Sequence, residues 1–241
     1  MEKTVTEAIN YRRSVRIYKD DVLDDEKVRQ CLLNASLAPT SSNLQLWEFY
    51  HITNNEKLVE LSKACFDQPA SKTAKQMVVV VTRKDLWRKR AKANLDFIQT
   101  SFADKPLDQY TQRDKFAINY YKKLIPTLYT DFLGIIGGIK YYFFQIIGLF
   151  RPIYRQVRNS DMRIVAHKSA GLAAQNFMIS MAAIGYDTCP MEGSDTRIIK
   201  KALRLPRGAE INMVIACGVR DEKGIYGPRF RVPFEEVYRK V

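Results

Sequence analysis

Residues 185–195 read GYDTCPMEGSD and follow a long helical pattern of small and apolar side chains. The members of that pattern are Ala166, Ala170, Ala173, Phe177, Met181 and Ala182. Their spacing is helical, and their many alanines predict close packing against neighbouring elements. Gly185 is a residue that commonly ends a helix. The sequence therefore predicts a closely packed helix that ends where this segment begins.

Strands and helices are also predicted in the rest of the chain. Strands are expected at residues 48–53, 77–82 and 212–219, and the second contains four consecutive valines, which is typical of a strand buried on both faces. A capping box at Thr4–Glu7, the acids before Val28 and the turn at residues 54–55 each predict the start of a helix. Because these elements show no regular βαβ alternation, we expect an α+β domain in which helices cover a small sheet.

The chain has a strong positive charge and enough apolar residues for a core. Its 241 residues include 39 Lys and Arg against 26 Asp and Glu, a formal net charge of +13, and 46% are hydrophobic. This composition excludes intrinsic disorder and predicts one domain over residues 1–241. The charge favours an anionic partner, which leaves nucleic acid, a phosphorylated cofactor or substrate, and an anionic membrane surface open.

The sequence lacks the motifs that are typical of several classes of functional site. His51 and His167 are the two histidines, and the four cysteines are widely spaced, so no metal site is expected and the thiols are interpreted as buried and reduced. The chain has no G-x-S-x-G motif and no ribonucleoprotein signature, which argues against a serine hydrolase and a nucleic-acid partner. Because no apolar leader follows Met1, we expect a cytoplasmic protein.

Residues 84–160 differ in composition from the rest and are interpreted as an insertion. Within them, residues 132–150 are apolar and aromatic, interrupted by Lys140 and Gln145 and flanked by basic residues. The run is close to the roughly 20 residues needed to span a bilayer, but a central lysine and four glycines argue against spanning. Two interpretations stay open: internal packing, or peripheral contact with a membrane through residues 132–150.

Two polar clusters near the N-terminus are suited to ligand binding. Residues 12–16 read RRSVR and place three guanidinium groups and a hydroxyl where they can clamp a phosphate. Residues 38–47 read APTSSNLQLW, a loop of small donors and acceptors that can hydrogen-bond a planar heterocycle. Near the other end, residues 229–237 read RFRVPFEEV.

These clusters, together with GYDTCPMEGSD, resemble four motifs of the nitroreductase family of FMN-dependent oxidoreductases, in the family's order. The segment at 185–195 is similar to the Gly…Pro-Ile-Glu-Gly-Phe-Asp segment of the oxygen-insensitive nitroreductase and dihydropteridine reductase branch. The resemblance covers residues 4–82 and 161–241, and departs from the family at Leu46, in place of Pro, and at Ser194, in place of an aromatic residue. It implies a nitroreductase-like fold with a mainly antiparallel sheet and a homodimer with FMN at the interface.

The resemblance also implies roles for individual residues. Arg12, Ser14, Arg229 and Arg231 would lie near the FMN phosphate and ribityl chain, with Arg13 in the same cluster. Arg16 would approach the pyrimidine edge of the flavin, where a guanidinium stabilises the negative charge of the reduced form. The loop residues Ser41, Ser42, Asn43 and Gln45 would line the flavin, typically from the partner subunit. Pro190, Met191, Glu192 and Gly193 would lie over one ring face.

No side chain is assigned as a catalytic acid or base, because solvent can protonate the reduced substrate. The family also uses an asparagine and a lysine just before its second buried strand. Gln68, Lys72 and Lys75 lie in that region without a clear register and stay unassigned, and Lys72 is favoured for the lysine. The implied activity is ping-pong transfer from NAD(P)H, as a transient reductant, to a small nitroaromatic, quinone or similar electron-poor acceptor. A membrane-peripheral flavoenzyme with an apolar or quinone acceptor stays open as the alternative.

Overall fold

The computed structural model describes residues 2–102 and 105–241. Its strands are β1 (Trp47–Ile52), β2 (Gln76–Thr82), β3 (Asp187–Met191) and β4 (Glu210–Gly218). Its helices are α1 (Val5–Tyr11), α2 (Asp25–Ser36), α3 (Asn55–Ala64), α4 (Pro69–Thr73), α5 (Trp87–Thr100), α6 (Gln112–Asn119), α7 (Ile125–Tyr129), α8 (Ile135–Ile147), α9 (Asn159–Ala183), α10 (Thr196–Ala202) and α11 (Phe234–Val237). A 3-10 turn at Ser41–Asn43 and a π-helical turn at Tyr120–Leu124 contribute to the sites described below.

The four strands form one antiparallel sheet in the order β1-β2-β4-β3. Every residue of β2 is buried, as its valine run predicts. Alternate side chains of β2 point to opposite faces. Met77, Val79 and Val81 pack with residues of α3, α4 and α10, whereas Val78 and Val80 pack with α2 and α9. The sheet is thus the middle layer of an α+β domain, as expected.

The helix predictions are confirmed. The capping box at Thr4 begins α1, Asp24 caps α2, Asn54 caps α3, and α9 ends before Gly185, whose φ is +86°. The strands expected at 48–53, 77–82 and 212–219 begin one or two residues earlier than predicted. Strand β3 was not predicted as a strand, because Pro190 interrupts a short segment. Its place at the edge of the sheet explains why proline is tolerated there.

The described residues of the 84–160 segment form a helical layer that packs against α9. Trp87, Ile125 and Tyr129 join Leu44, Leu46 and Met162 in a third apolar cluster. Lys140 does not interrupt this packing, because its ammonium group donates to the carbonyls of Thr127, Leu128 and Thr130 at 2.7–3.1 Å. The lysine thereby satisfies carbonyl groups at the C-terminal end of α7.

Helix α8 keeps much of its apolar surface exposed. Ile139, Tyr142 and Phe143 are each about 60–70% exposed, and Gly137 is its buried residue. Within the two described stretches, no helix is both long and apolar enough to cross a bilayer. Internal packing therefore accounts for only part of the apolar run at 132–150.

Candidate anion and flavin site

The N-terminal and C-terminal arginine clusters line the same cavity. The cavity has a volume of about 230 Å³, and its walls come from residues 12–16 and 225–231. Its lining residues are Arg12, Arg13, Ser14, Arg16, Ile225, Tyr226, Pro228, Arg229, Phe230 and Arg231. The fold therefore brings together two clusters that lie more than 200 residues apart in the sequence.

Main-chain hydrogen bonds hold the N-terminal cluster on the sheet. Ser14 forms a parallel bridge with Thr188 of β3, and the Val15 amide donates to the Thr188 carbonyl at 3.2 Å. The Arg16 amide donates to the Gly224 carbonyl at 2.7 Å. Gly224 cannot be replaced easily, since an added Cβ would lie 2.4 Å from the Ile17 carbonyl oxygen. The backbone of residues 14–16 is thus fixed between β3 and the C-terminal segment.

Arginine side chains connect the two clusters directly. Arg229 Nη2 donates to the Asn10 carbonyl at 3.0 Å and to the Arg12 carbonyl at 2.5 Å. Arg13 Nη2 donates to the Gly227 carbonyl at 2.8 Å, and the Arg16 guanidinium lies 5.3 Å from the centre of the Tyr226 ring. These contacts use neutral partners, so they order the guanidinium groups without neutralising them.

A buried ion pair holds the chain next to the N-terminal arginine cluster. Asp187, at the start of β3, accepts from Arg220 Nε at 2.9 Å and from Arg220 Nη2 at 2.5 Å. Arg220 Nη2 also donates to the Tyr11 carbonyl at 3.1 Å, and its guanidinium lies 3.9 Å from the Tyr11 ring centre. Because Tyr11 directly precedes Arg12, this pair fixes the chain where the cluster begins.

The electrostatics of the cavity favour an anion. Burial lowers the pKa of Arg12, and the positive charges of Arg229, Arg231 and Arg13 lower it further. In the described part of the chain, no carboxylate lies within 4 Å of these arginines or of Arg16. A concentration of guanidinium groups without carboxylate partners is a donor set that fits a phosphate.

The loop at residues 41–45 lies at a different cavity. Ser42, Asn43 and Gln45 have positive φ angles of 54°, 48° and 48°, which costs energy in non-glycine residues. Contacts with the helical layer hold the loop: Ser42 Oγ lies 2.7 Å from the Tyr120 hydroxyl, and Asn43 Nδ2 donates to Asn94 Oδ1 at 2.8 Å. Ser41 and Ser42 line a cavity of about 600 Å³ beside α7, α8 and α9. Among the described residues of one chain, no residue lines both this cavity and the arginine cavity.

Residues 190–193 lie at the end of β3. Pro190 pairs with Ile215 of β4, Met191 is buried, and Glu192 is exposed. The Gly193 carbonyl accepts a hydrogen bond of 2.9 Å from Gln68 Nε2.

The structure also shows supporting residues that the sequence left without a role. Gln68 joins α4 to the Gly193 turn, whereas Lys72 lines a separate cavity with Asn55 and Asp67, and Lys75 pairs with Asp20. The sequence alone also gives no role to the pair of Asp187 and Arg220. The sequence carries no local signal for this pair, because β3 was not predicted as a strand and Arg220 lies 33 residues after Asp187.

Comparisons with known proteins agree with the family resemblance of the motifs. The sequence profile of the Nitroreductase family matches residues 9–219. Protein DrgA of Synechocystis sp. is 27% identical over 217 residues, which are 90% of this chain and 84% of that protein. A candidate NAD(P)H nitroreductase of Staphylococcus haemolyticus is 24% identical over 98% of this chain and 97% of its own length. A candidate nitroreductase of Exiguobacterium sibiricum, solved in complex with FMN, is 21% identical, has a TM-score of 0.68 and covers 99% of this chain and 98% of its own.

Proposed function

The chain belongs to the nitroreductase family, and from that membership we propose that it is an FMN-dependent NAD(P)H oxidoreductase. We further propose that nitroaromatics, quinones or similar electron-poor compounds are its acceptors and that transfer is ping-pong. The names of a relative and of a structural neighbour, an NAD(P)H nitroreductase and a protein in complex with FMN, support the proposed cofactor and reductant.

One observation carries the proposal: guanidinium groups from both ends of the chain surround one cavity and have no carboxylate partners among the described residues. Arg12, Arg13, Arg229 and Arg231, with the Ser14 hydroxyl, would bind the FMN phosphate. FMN supplies hydride transfer when bound. Arg16, held by Gly224 and Tyr226, would provide positive charge at the pyrimidine edge. Residues 190–193 would lie against the ring, with Gln68 fixing the Gly193 turn.

A homodimer is part of the proposal. The loop residues Ser41, Ser42, Asn43 and Gln45 lie away from the arginine cavity of their own chain. A second copy would supply them to the flavin, as the family resemblance implies. The exposed C-terminal residues after 228 offer additional surface for such a partner.

Comparing FMN with riboflavin tests the proposal, because the two ligands differ only in the phosphate. We expect FMN to bind at least about hundredfold more tightly, the effect of two or more charge-assisted hydrogen bonds. Arg12→Gln and Arg231→Gln should reduce that preference, whereas Arg207→Gln, at an exposed arginine outside the cavity, should not. Equal binding of the two ligands by the unaltered chain would contradict the proposed phosphate site.

The exposed apolar face of α8 favours a second candidate, a membrane-peripheral enzyme that reduces an apolar or quinone acceptor. Arg151 and Arg155 follow α8 and would face anionic headgroups. Co-sedimentation with phosphatidylglycerol vesicles at low salt tests this candidate. Tyr142→Ser should weaken the association, and failure of the unaltered chain to bind these vesicles would contradict it.

A further inference from the structure

The cavity of about 600 Å³ beside the 41–45 loop has the size of a small-molecule site. The π-helical turn, α7, α8 and α9 contribute its walls. Most of the lining is apolar: Leu124, Leu128, Phe144, Ile147, Met162 and Val165. Such a wall fits the apolar body of a ligand, and burying polar groups against it would cost free energy.

Arg151 is the one charged side chain among the described residues that line this cavity. It follows α8, is exposed, and has no carboxylate within 4 Å in the parts of the chain that the structure describes. Burial raises the pKa of Tyr129, which also lines the cavity, to about 12 and raises that of Tyr154, so these two phenols supply no negative charge to pair with Arg151 at neutral pH. The cavity thus combines an apolar interior with a single available cation.

The same cavity is joined to the loop that the proposed function places beside the flavin. Ser41 and Ser42 belong to its lining. Ser42 Oγ lies 2.7 Å from the Tyr120 hydroxyl, and the Tyr121 hydroxyl donates to the Ser42 carbonyl at 3.0 Å. A ligand in the cavity would therefore contact the wall that holds this loop.

We propose that this cavity binds the electron acceptor and selects an amphiphilic monoanion, a compound with an apolar body and one carboxylate, sulfonate or phosphate group paired with Arg151. The inference rests on the proposed function for the reduction itself, but not for binding. The reduction adds a hydride, which comes ultimately from NAD(P)H, and a proton from water. NAD(P)H is oxidised, and the acceptor gains two electrons.

A displacement assay with three ligands of equal chain length tests the selection. The fluorescent probe 1-anilinonaphthalene-8-sulfonate is bound to the purified full chain and displaced by decanoate, decanol or decyltrimethylammonium below their aggregation limits. We expect decanoate to displace the probe at concentrations about fivefold to tenfold lower than decanol, and the cation to be the weakest. Equal displacement by all three ligands would overturn the proposal.

Amino-acid substitutions test whether these ligands bind in the cavity. Arg151→Gln should make decanoate and decanol equal, whereas Arg113→Gln, at an exposed arginine of α6 outside the lining, should leave the preference unchanged. Leu128→Phe, which fills part of the cavity, should weaken the binding of all three ligands. Thermal unfolding verifies that this variant is folded. If Ile139→Ser on the exposed face of α8 abolishes displacement and Leu128→Phe does not, the ligands bind the helix surface and the inference is wrong.

Flavin content, measured on the same samples, separates this inference from the proposed function. A chain that binds FMN but shows no preference for decanoate contradicts the acceptor site alone. A chain that prefers decanoate through Arg151 but binds no FMN supports the anion-selective cavity and contradicts the proposed function.

Discussion

Replacing Asp187 with asparagine should destabilise the protein and weaken the proposed cofactor site together. The Asp187 side chain is 1% exposed and the Arg220 side chain is 27% exposed. The carboxylate accepts from the Arg220 amide, Nε and Nη2 at 2.5–2.9 Å, and from the Tyr11 hydroxyl at 3.4 Å. Asp187→Asn keeps the shape of the side chain but leaves the guanidinium without its counter-charge.

The magnitude follows from the burial of the pair. Removing one member of a buried ion pair costs about 3–5 kcal/mol. Because Arg220 is partly exposed and asparagine keeps one acceptor oxygen, we expect a loss of about 2–3 kcal/mol in the free energy of unfolding. For a chain of this length, that loss lowers Tm by about 5–10 °C.

Urea and thermal unfolding followed by circular dichroism measure the loss, and a titration measures FMN affinity. Glu222→Gln is the matched control, because Glu222 is exposed and has no ion-pair partner in the described residues. We expect FMN binding to weaken in Asp187→Asn, since Arg220 also holds the Tyr11 carbonyl next to Arg12. A loss below about 0.5 kcal/mol, no greater than that of an ordinary surface substitution, would show that the ion pair does not stabilise the fold.

Three other predictions concern features outside the arginine cavity. Lys140→Met should lower the free energy of unfolding by about 1–2 kcal/mol and speed amide exchange at the end of α7, because three carbonyls lose their shared donor. Unchanged exchange there would contradict the capping role of Lys140. Thr4→Ala should lower the free energy of unfolding in urea by about 1 kcal/mol, since it removes a capping box. Thr4→Ser, which keeps the hydroxyl, should retain most of that stability. Burial raises the thiol pKa of Cys31 to about 12 and that of Cys65 to about 11, so their contribution to stability is fully present below about pH 8.5 and is lost as the pH rises through 11 and 12; replacing both with alanine should make urea unfolding less sensitive to alkaline pH, and an identical pH dependence would contradict this.

Much of the fold could be predicted because local pattern and tertiary packing agree. In β2 the valine run matches a strand buried on both faces, and in α2 the spacing of Val28, Cys31 and Ala35 matches the face that is buried. Strand β3 was missed because its strand character comes from pairing with β4, while Pro190 argues locally against it. Local pattern contains no information about such pairing.

The helical layer at 84–160 could not be predicted in detail for a similar reason. Lys140 appears in the sequence as a charge inside an apolar run, but its three acceptors come from a helix end that only the folded chain brings near. In the arginine site, family resemblance grouped Arg12 with Arg229, and the structure gives the contact that joins them. The sequence alone gives Gln68 no role, because its partner, the Gly193 carbonyl, is 125 residues away in the chain.

Reduction of the bound flavin by nicotinamide is the decisive test of the activity. The purified protein is loaded with FMN, freed of excess cofactor and oxygen, and mixed with NADH or NADPH while the visible flavin absorbance is followed. We expect the protein to retain FMN, at least one nicotinamide to bleach the flavin absorbance, and a quinone to restore it. A chain that retains no FMN, or whose bound FMN neither nicotinamide reduces, would contradict the claim that this protein is a flavin-dependent oxidoreductase.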